Sequence, residues 1–147
     1  GGGQERQERG LSPGQGAAMS EMYTERLLDH YRHPRHKGLL ADGEAAVGEV
    51  LSVEEYNPLC GDRVTFQVRI VDGCLGEARF DGRGCALCLG AASILAEVVE
   101  GRSLEALRVM GEDDFLAELQ SEIRPARLRC ALLPWVALRR AVFGEGS

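Results

Sequence analysis

Residues 64–73 read Val-Thr-Phe-Gln-Val-Arg-Ile-Val-Asp-Gly, the clearest strand-and-turn pattern in the chain. Its first seven residues place an apolar side chain at every second position, a period that predicts a half-buried antiparallel strand. The Asp72-Gly73 pair that follows is typical of a two-residue hairpin turn. We therefore expect a meander in which alternation begins near Val47, passes through this strand and returns in a third strand at about residues 76–80.

The chain before the meander predicts one helix. Ser20 is a suitable N-cap, and Pro34 should stop the helix after His33. Apolar residues of the segment share one helical face, as a helix packed on a core requires. They are Tyr23, Leu27, Leu28 and Tyr31.

The chain after the meander predicts four helices, at about residues 85–100, 103–110, 113–121 and 127–143. Residues 81–84 should break the third strand and open the first of these helices, with Gly101 just past its end. That helix is apolar nearly all round, so we expect it to be buried at the centre. The order predicts an α+β domain, with a small three-stranded antiparallel sheet and helices packed on one face.

The last helix contains Pro134, which has no N–H to bond the carbonyl of Cys130. We therefore expect a break or kink beside Cys130, with the helix proper starting near Pro134. Cys130 should then lie at the end of an element.

Length and composition limit the possible functions. The chain has 147 residues, a net charge of −6 and 44% hydrophobic residues, which suits one domain with a real core. The negative charge argues against general binding to nucleic acid or to an anionic membrane surface. No apolar run approaches the roughly 18 residues that a membrane span needs.

Residues 1–18 contain almost no large apolar side chain, so we expect a disordered tail followed by a single domain at residues 19–147. No apolar run typical of a secretion signal is visible, which favours a cytoplasmic location. Cysteines in that compartment serve metal binding or thiol chemistry more often than disulfides, and the odd number of five fits disulfides poorly.

Three of the five cysteines lie in short motifs. Cys60 stands in Asn-Pro-Leu-Cys-Gly-Asp, Cys85 follows Gly-Arg-Gly, and Cys130 follows Pro-Ala-Arg-Leu-Arg. Gly61 lets the chain turn so that Cys60 and Asp62 face one point, and a helix N-terminus stabilises the thiolate of Cys85. Three thiols and one carboxylate form a complete tetrahedral set for zinc or for the iron of a cluster. Metal and sulfur chemistry is therefore predicted.

The other two cysteines have weaker patterns. Cys88 lies three residues after Cys85 and on the same helical face. We expect it to be a small buried side chain, and the alternative is a spare ligand or resolving thiol. Cys74 lies in the hairpin turn, away from the motifs, and we interpret it as incidental.

Two further groups of polar residues need a role. Three histidines cluster around the end of the first helix, where the helix dipole is a commoner reason than a metal; they are His30, His33 and His36. Four arginines flank the cysteine motifs and either lower thiol pKa values, meet an acidic partner or are ordinary surface charge. They are Arg63, Arg83, Arg127 and Arg129.

Together these motifs resemble the SufU/IscU/NifU N-terminal family of iron–sulfur cluster assembly proteins. The resemblance rests on Asn-Pro-x-Cys-Gly-Asp after a strand, Gly-x-Gly-Cys opening a helix and Pro-Ala-Arg-x-x-Cys-Ala-x-Leu near the C-terminus, in that order. The segment Leu28-Asp29-His30-Tyr31-x-x-Pro34-Arg35 is similar too. The similarity covers about residues 20 to 143 and implies a SufE/NifU-like fold.

Within that family the motifs are closer to SufU and the length is closer to IscU. Trp135 after Cys130 is similar to SufU, and Arg129 stands where IscU has a histidine before its last cysteine. However, the chain lacks the insertion that SufU proteins usually carry between the second and third motifs.

The resemblance implies a protein of iron–sulfur cluster biogenesis that accepts sulfane sulfur from a cysteine desulfurase. It would serve as a [2Fe–2S] scaffold, as a zinc-dependent sulfur-transfer protein, or as both, with apo iron–sulfur proteins as acceptors and neither nucleic acid nor membrane as a partner. Whether it is a sulfurtransferase enzyme or a non-enzymatic scaffold stays open. The implied ligands of zinc in the resting protein, or of the cluster, are Cys60, Asp62, Cys85 and Cys130.

The implied persulfide acceptor is Cys60 by similarity to SufU or Cys130 by similarity to IscU. Two other functional classes stay open. One is a non-catalytic binding domain that zinc stabilises, and the other is a thiol oxidoreductase that uses Cys85 and Cys88. Both leave the Asn-Pro-x-Cys-Gly-Asp motif without a reason.

Overall fold

Three antiparallel strands form the sheet in chain order. The computed structural model describes residues 23–40 and 48–144. Its strands are β1 (Glu49–Asn57), β2 (Asp62–Val71) and β3 (Cys74–Arg83). The predicted disordered tail, Ser20 and Val47 lie outside the described residues.

Two hairpins connect the strands. β1 pairs with β2 from Glu49 opposite Ile70 to Asn57 opposite Asp62, and a four-residue loop joins them. β2 and β3 are joined by Asp72 and Gly73, both of which have positive φ angles (51° and 74°). Positive φ at both central residues is the conformation of a type I′ hairpin turn, so the predicted hairpin is confirmed.

β3 is longer than the sequence predicted, because residues 81–83 continue the strand instead of breaking it. Gly82 lies opposite Val64, and a Cβ built on it would be 2.1 Å from the carbonyl oxygen of Arg63. The glycine therefore permits a close approach of two strand backbones, which is a second reason for glycine in a strand besides termination.

The strand alternation buries one face of the sheet under helices. Val64, Phe66 and Val68 of β2 and Ala78 and Phe80 of β3 are completely buried. The helices pack against this face, so the predicted α+β arrangement is confirmed.

The first helix, α1 (Glu25–Arg32), begins later than predicted. Thr24 is its N-cap, because its side-chain oxygen accepts the N–H of Leu27 and also lies 2.9 Å from the hydroxyl of Ser121. Thr24 is extended, as N-cap residues usually are, and its contact with Ser121 connects the start of the helix to a distant segment. The predicted apolar face is correct for Leu27 and Leu28 but wrong for Tyr31, which is 39% exposed.

Four helices follow the sheet, as predicted. They are α2 (Ala86–Val99), α3 (Leu104–Val109), α4 (Glu112–Leu119) and α5 (Leu128–Phe143). α2 is buried along most of its length and contacts α1, α5 and β3, which confirms the predicted central helix. Within the described residues, no helix is both long enough and apolar enough to cross a lipid bilayer.

The prediction that the last helix starts near Pro134 is wrong. A single 3₁₀ turn (Pro125–Arg127) leads into α5, which begins at Leu128 and continues through Pro134. Pro134 removes one backbone hydrogen bond of the helix. The turns around it are held in the core, because Leu133, Trp135 and Leu138 are buried. Trp135 also stacks on Phe115, with ring centroids 5.7 Å apart. Packing therefore outweighs the local cost.

Candidate metal centre

The residues of the three cysteine motifs meet at one end of the sheet. Cys60 lies in the loop that joins β1 to β2, and Asp62 is the first residue of β2. Cys85 directly precedes α2, and Cys130 lies in the first turn of α5. The meeting follows from topology, because this end of the sheet holds the first hairpin loop, the exit of β3 and the start of both long helices.

The Cys60 loop is held open by hydrogen bonds to Asn57. The N–H of Gly61 bonds the Asn57 carbonyl at 2.8 Å, and the N–H of Leu59 bonds the Asn57 side-chain oxygen at 3.1 Å. Gly61 has a φ of +79°, which residues with a Cβ adopt only with strain. Cys60 is therefore exposed at the tip of the loop while Asp62 is buried at its base.

Asp62 and Cys85 form the first pair of the site, named here the carboxylate–thiol pair. One oxygen of Asp62 accepts the backbone N–H of Cys85 at 3.2 Å, and the other accepts its thiol at 3.4 Å. The sulfur of Cys85 in turn caps α2 by accepting the N–H of Cys88 at 3.4 Å. Gly84 makes room for the carboxylate, because a Cβ there would lie 3.0 Å from both the Cγ and the Oδ1 of Asp62.

Cys60 and Cys130 form the second pair, named here the thiol pair. Their sulfurs are 3.6 Å apart and share a hydrogen bond. The two residues differ sharply in exposure, since Cys60 is exposed whereas Cys130 is only 4% exposed.

The donor set fits a tetrahedral metal. Possible ligand atoms of Cys60, Asp62 and Cys130 lie within 4.8 Å of one another. Zinc–sulfur bonds of about 2.3 Å in a tetrahedron place two sulfurs about 3.8 Å apart, close to the separation of the thiol pair. Cys85 is not a member of this compact group and is joined to it through Asp62. Three of the four predicted residues therefore form one compact group, and Cys85 is connected to that group by its hydrogen bond to Asp62.

Burial and charge set the protonation of the buried thiols. Burial, the hydrogen bond with Cys60 and the nearby Cys85 raise the pKa of Cys130 to about 12, against a hydrogen bond from Arg127 that lowers it. Binding of a divalent metal through this sulfur must therefore displace a proton. Burial likewise raises the pKa of Cys88, so its thiol is protonated at neutral pH.

Among the four flanking arginines, Arg127 hydrogen-bonds both Cys85 and Cys130. Its Nε is buried and has no hydrogen-bond partner among the described residues. Arg63, in contrast, packs over the ring of Tyr56 and lies 3.7 Å from Glu54. All four arginines are close to a cysteine motif in the sequence, so sequence proximity did not separate Arg127 from the others. Its contact with the two sulfurs depends on the turn before α5.

Sequence reasoning missed two neighbours of the site. Tyr23 is buried, and the charges of Arg127, Cys85 and Cys130 act on it, whereas the sequence suggested only a core position in the first helix. Gly84 is the other missed neighbour. Its position directly before Cys85 was a signal that the chain there approaches another group closely, and that group is the carboxylate of Asp62.

Two of the three histidines have structural contacts. His30 is buried and lies 2.8 Å from the hydroxyl of Ser93, and His36 lies 3.0 Å from the carbonyl of Ala78. Cys74, the first residue of β3, forms an isolated bridge with Ser103 and is distant in the sheet from the motifs.

The chain matches a known protein family. The model of the NifU-like N-terminal domain family matches residues 22–144. The chain belongs to this family. The match includes all three cysteine motifs, so the resemblance seen in the sequence is confirmed.

Curated relatives of the NifU-like N-terminal domain family cover most of the chain. A zinc-dependent sulfurtransferase SufU of Bacillus subtilis is 30% identical over 88% of this chain and 95% of its own length. An iron–sulfur cluster assembly scaffold protein IscU of Escherichia coli is 31% identical over 82% of this chain and 91% of its own length.

Solved structures of the family have the same fold. The SUF-system scaffold described from Fervidobacterium islandicum aligns over 82% of this chain and 96% of its own, with a TM-score of 0.66 at 23% identity. A NifU-like N-terminal protein from Brucella abortus aligns over 84% of this chain and 94% of its own, with a TM-score of 0.65 at 21% identity. The NifU-like fold predicted from the sequence is confirmed.

Proposed function

We propose that this protein acts in iron–sulfur cluster biogenesis by accepting sulfane sulfur from a cysteine desulfurase. The observation that carries the proposal is the site itself, in which an exposed cysteine, a buried cysteine and a buried carboxylate lie within 4.8 Å of one another. Family membership and the names of the SufU and IscU relatives support it. The accepted sulfur would enter a [2Fe–2S] cluster assembled as cargo, or pass to apo iron–sulfur proteins.

Cys60 is the first persulfide acceptor in this proposal. It is exposed at a loop tip where the persulfide of a partner can reach it, whereas Cys130 is buried. The Cys60 thiolate attacks the outer sulfur of the donor persulfide, a new S–S bond forms on Cys60, and the donor cysteine leaves as a thiolate. No net oxidation occurs.

Zinc in the resting protein would be held by Cys60, Asp62, Cys85 and Cys130. Bound zinc stabilises thiolates and holds their protons off, which is the form that sulfur exchange needs. The oxygen of Asp62 is the hardest donor and the weakest match to a soft metal or cluster. A group held in this way is easier to release, which a carrier requires.

The five free cysteines are consistent with a reducing compartment, and we propose that the protein acts in the cytoplasm. The oxidoreductase alternative is less well supported, because Cys88 is buried and its pKa is raised by that burial. A redox pair needs an accessible low-pKa thiol and a partner that can reach it.

The full chain, purified without oxygen, tests this proposal through two readouts. Zinc, iron and acid-labile sulfide are first measured per chain, and we expect about one zinc or one cluster on the basis of one donor set. Cys130→Ser should lose most of the metal, while Cys74→Ser, the matched control away from the site, should keep it.

The second readout is turnover of a cysteine desulfurase with cysteine as substrate. We expect the wild-type chain to raise turnover and Cys60→Ser to abolish the increase. A protein that binds zinc but leaves desulfurase turnover unchanged is a zinc-stabilised binding domain, and the proposed function is then wrong.

A further inference from the structure

The thiol pair offers an exposed and a buried position for the same sulfur atom. We propose that sulfane sulfur received on Cys60 moves within the chain to Cys130, which holds it away from solvent. This inference rests on the proposed function for the origin of the sulfur. It concerns a step that follows acceptance, and it gives both members of the pair a role.

The geometry suits direct exchange. The two sulfurs are 3.6 Å apart, which is close to contact distance, so the Cys130 sulfur needs only a small movement to reach an outer sulfur carried on Cys60. Exchange inside a preorganised pair is strongly favoured over exchange with a thiol in solution. The hydrogen bond between the sulfurs also gives the proton a path.

The step is balanced without an outside reagent. The Cys130 sulfur attacks the outer sulfur of the Cys60 persulfide, the S–S bond at Cys60 breaks, and an S–S bond at Cys130 forms. Where the Cys130 sulfur carries a proton, that proton passes to the Cys60 sulfur as that sulfur leaves, and where the Cys130 sulfur is already a thiolate, the negative charge passes instead. One persulfide and one thiol give one thiol and one persulfide, so neither an oxidant nor a reductant is required.

Cys85 is a poorer receiver than Cys130. Its sulfur is occupied by the carboxylate of Asp62 at 3.4 Å and by the N–H of Cys88 at 3.4 Å. The hydrogen bond of the Cys60 sulfur is with Cys130 instead. The structure therefore directs sulfur from Cys60 towards α5, not towards α2.

The surroundings of Cys130 suit a stored persulfide. The residue is 4% exposed, so thiols in solution have little access to a sulfur that it carries. Arg127 hydrogen-bonds Cys130, and its buried Nε–H has no partner in the part of the chain that the structure describes. The terminal sulfur of a persulfide is an anionic acceptor, which is the kind of group that such a donor lacks.

A persulfide-mapping time course tests the transfer. The full chain as purified is mixed with less than one equivalent of glutathione persulfide, quenched with an alkylating reagent at increasing times and mapped by peptide mass spectrometry. We expect the extra sulfur first on Cys60 and later on Cys130. In Cys60→Ser, loading of Cys130 should slow by about tenfold or more, because the intramolecular route is lost.

Two matched variants complete the test. Cys130→Ser should hold the sulfur on Cys60, and Cys74→Ser should behave as wild type. Metal content and circular dichroism are recorded for each variant, and the wild-type time course is informative even if a variant fails to fold. The inference is overturned if sulfur stays on Cys60 in the wild type, or if Cys130 loads equally fast in Cys60→Ser.

The donor keeps this inference distinguishable from the proposed function. Glutathione persulfide replaces the desulfurase, so internal transfer can be seen whether or not a desulfurase is the natural donor. A chain that a desulfurase loads on Cys60 without later transfer loses only the present inference. A chain that moves sulfur internally but ignores the desulfurase loses only the proposed function.

Discussion

Burial divides the five cysteines into distinct chemical types. Cys60 is exposed, Cys85 and Cys74 are half-buried, and Cys88 and Cys130 are buried. Sequence spacing grouped Cys88 with Cys85, and the structure confirms that they are neighbours, because the Cys88 N–H bonds the Cys85 sulfur. That bond uses the backbone of Cys88 and not its thiol. The thiol of Cys88 therefore takes no part in this hydrogen bond.

Replacement of Cys88 by alanine should leave the chemistry of the site unchanged. The side chain is completely buried and its pKa is raised by burial, so no thiolate is available to attack a persulfide. We expect unchanged zinc content and unchanged persulfide lifetime, measured by intact mass. The lost sulfur atom should lower the free energy of unfolding by about 1 kcal/mol. A faster or slower persulfide decay in Cys88→Ala would make Cys88 part of the mechanism.

The junction between β3 and α2 shows how elements shape the site. Here the chain leaves the sheet through Gly84, and the N–H of Cys85 holds the carboxylate of Asp62. A Cβ on Gly84 would be 3.0 Å from that carboxylate, closer than ordinary contacts allow. The missing side chain thus lets the start of β2 and the start of α2 approach each other.

Gly84→Ala should therefore disturb metal binding through Asp62. We expect affinity for zinc to fall by about tenfold, as for other groups that orient a ligand, and the absorption spectrum of the cobalt-substituted protein to change. Gly111→Ala is the matched control, since a Cβ there would meet only an Asp114 oxygen at 3.8 Å.

A double-mutant cycle separates positioning from a general structural effect. If Gly84 acts through Asp62, the Gly84→Ala change should add little to the loss already caused by Asp62→Ala. Full additivity of the two losses would show that Gly84 supports the fold and not the carboxylate.

The elements themselves were largely predictable, while their ends were not. Period-two alternation identified β2, and the uniform apolar character of residues 86–99 identified the central helix. The start of α1, the role of Gly82 and the effect of Pro134 were misjudged for one reason. Each depends on a contact with a distant segment, and local propensity contains no such information. Thr24 at the start of α1 contacts Ser121, Gly82 lies against the backbone of Arg63, and Pro134 lies in the core around Trp135. The ligand motifs were visible because ligand types and turn glycines are local, but the division into two pairs was not.

At the scale of the whole molecule, one hydrogen-bonded centre joins three parts of the chain. The hydroxyl of Ser93 in α2 contacts His30 of α1 at 2.8 Å and the backbone N–H of Arg35 at 2.8 Å. Segment 36–38 then continues along the free side of β3 through hydrogen bonds with Phe80. The packing of α1 and of the segment that follows it therefore depends on the orientation of His30, whose Nε2 also lies 3.5 Å from a carboxylate oxygen of Glu97.

This dependence should appear as a loss of stability in mild acid. Burial and the positive charge of Arg35 lower the pKa of His30 below its ordinary value of 6.5, with a smaller lowering by Arg26 and opposing effects of Glu97 and Asp29. Because the unfolded chain then binds the proton more readily than the folded one, stability is complete above about pH 6.5. It decreases as the pH falls from there towards the folded pKa.

His30→Gln removes this titration while keeping a group that can bond Ser93, so its stability should depend less on pH over the same interval. His33→Gln is the matched control, because that side chain ends the same helix but is exposed. Urea unfolding is measured for the three proteins at about pH 7.5 and about pH 5.5, where an ordinary histidine changes charge. We expect the loss of unfolding free energy on acidification to be smaller in His30→Gln than in wild type and unchanged in His33→Gln. An equal loss in all three proteins would show that His30 is protonated as easily in the folded chain as in the unfolded one, and that its burial does not govern the acid sensitivity of the fold.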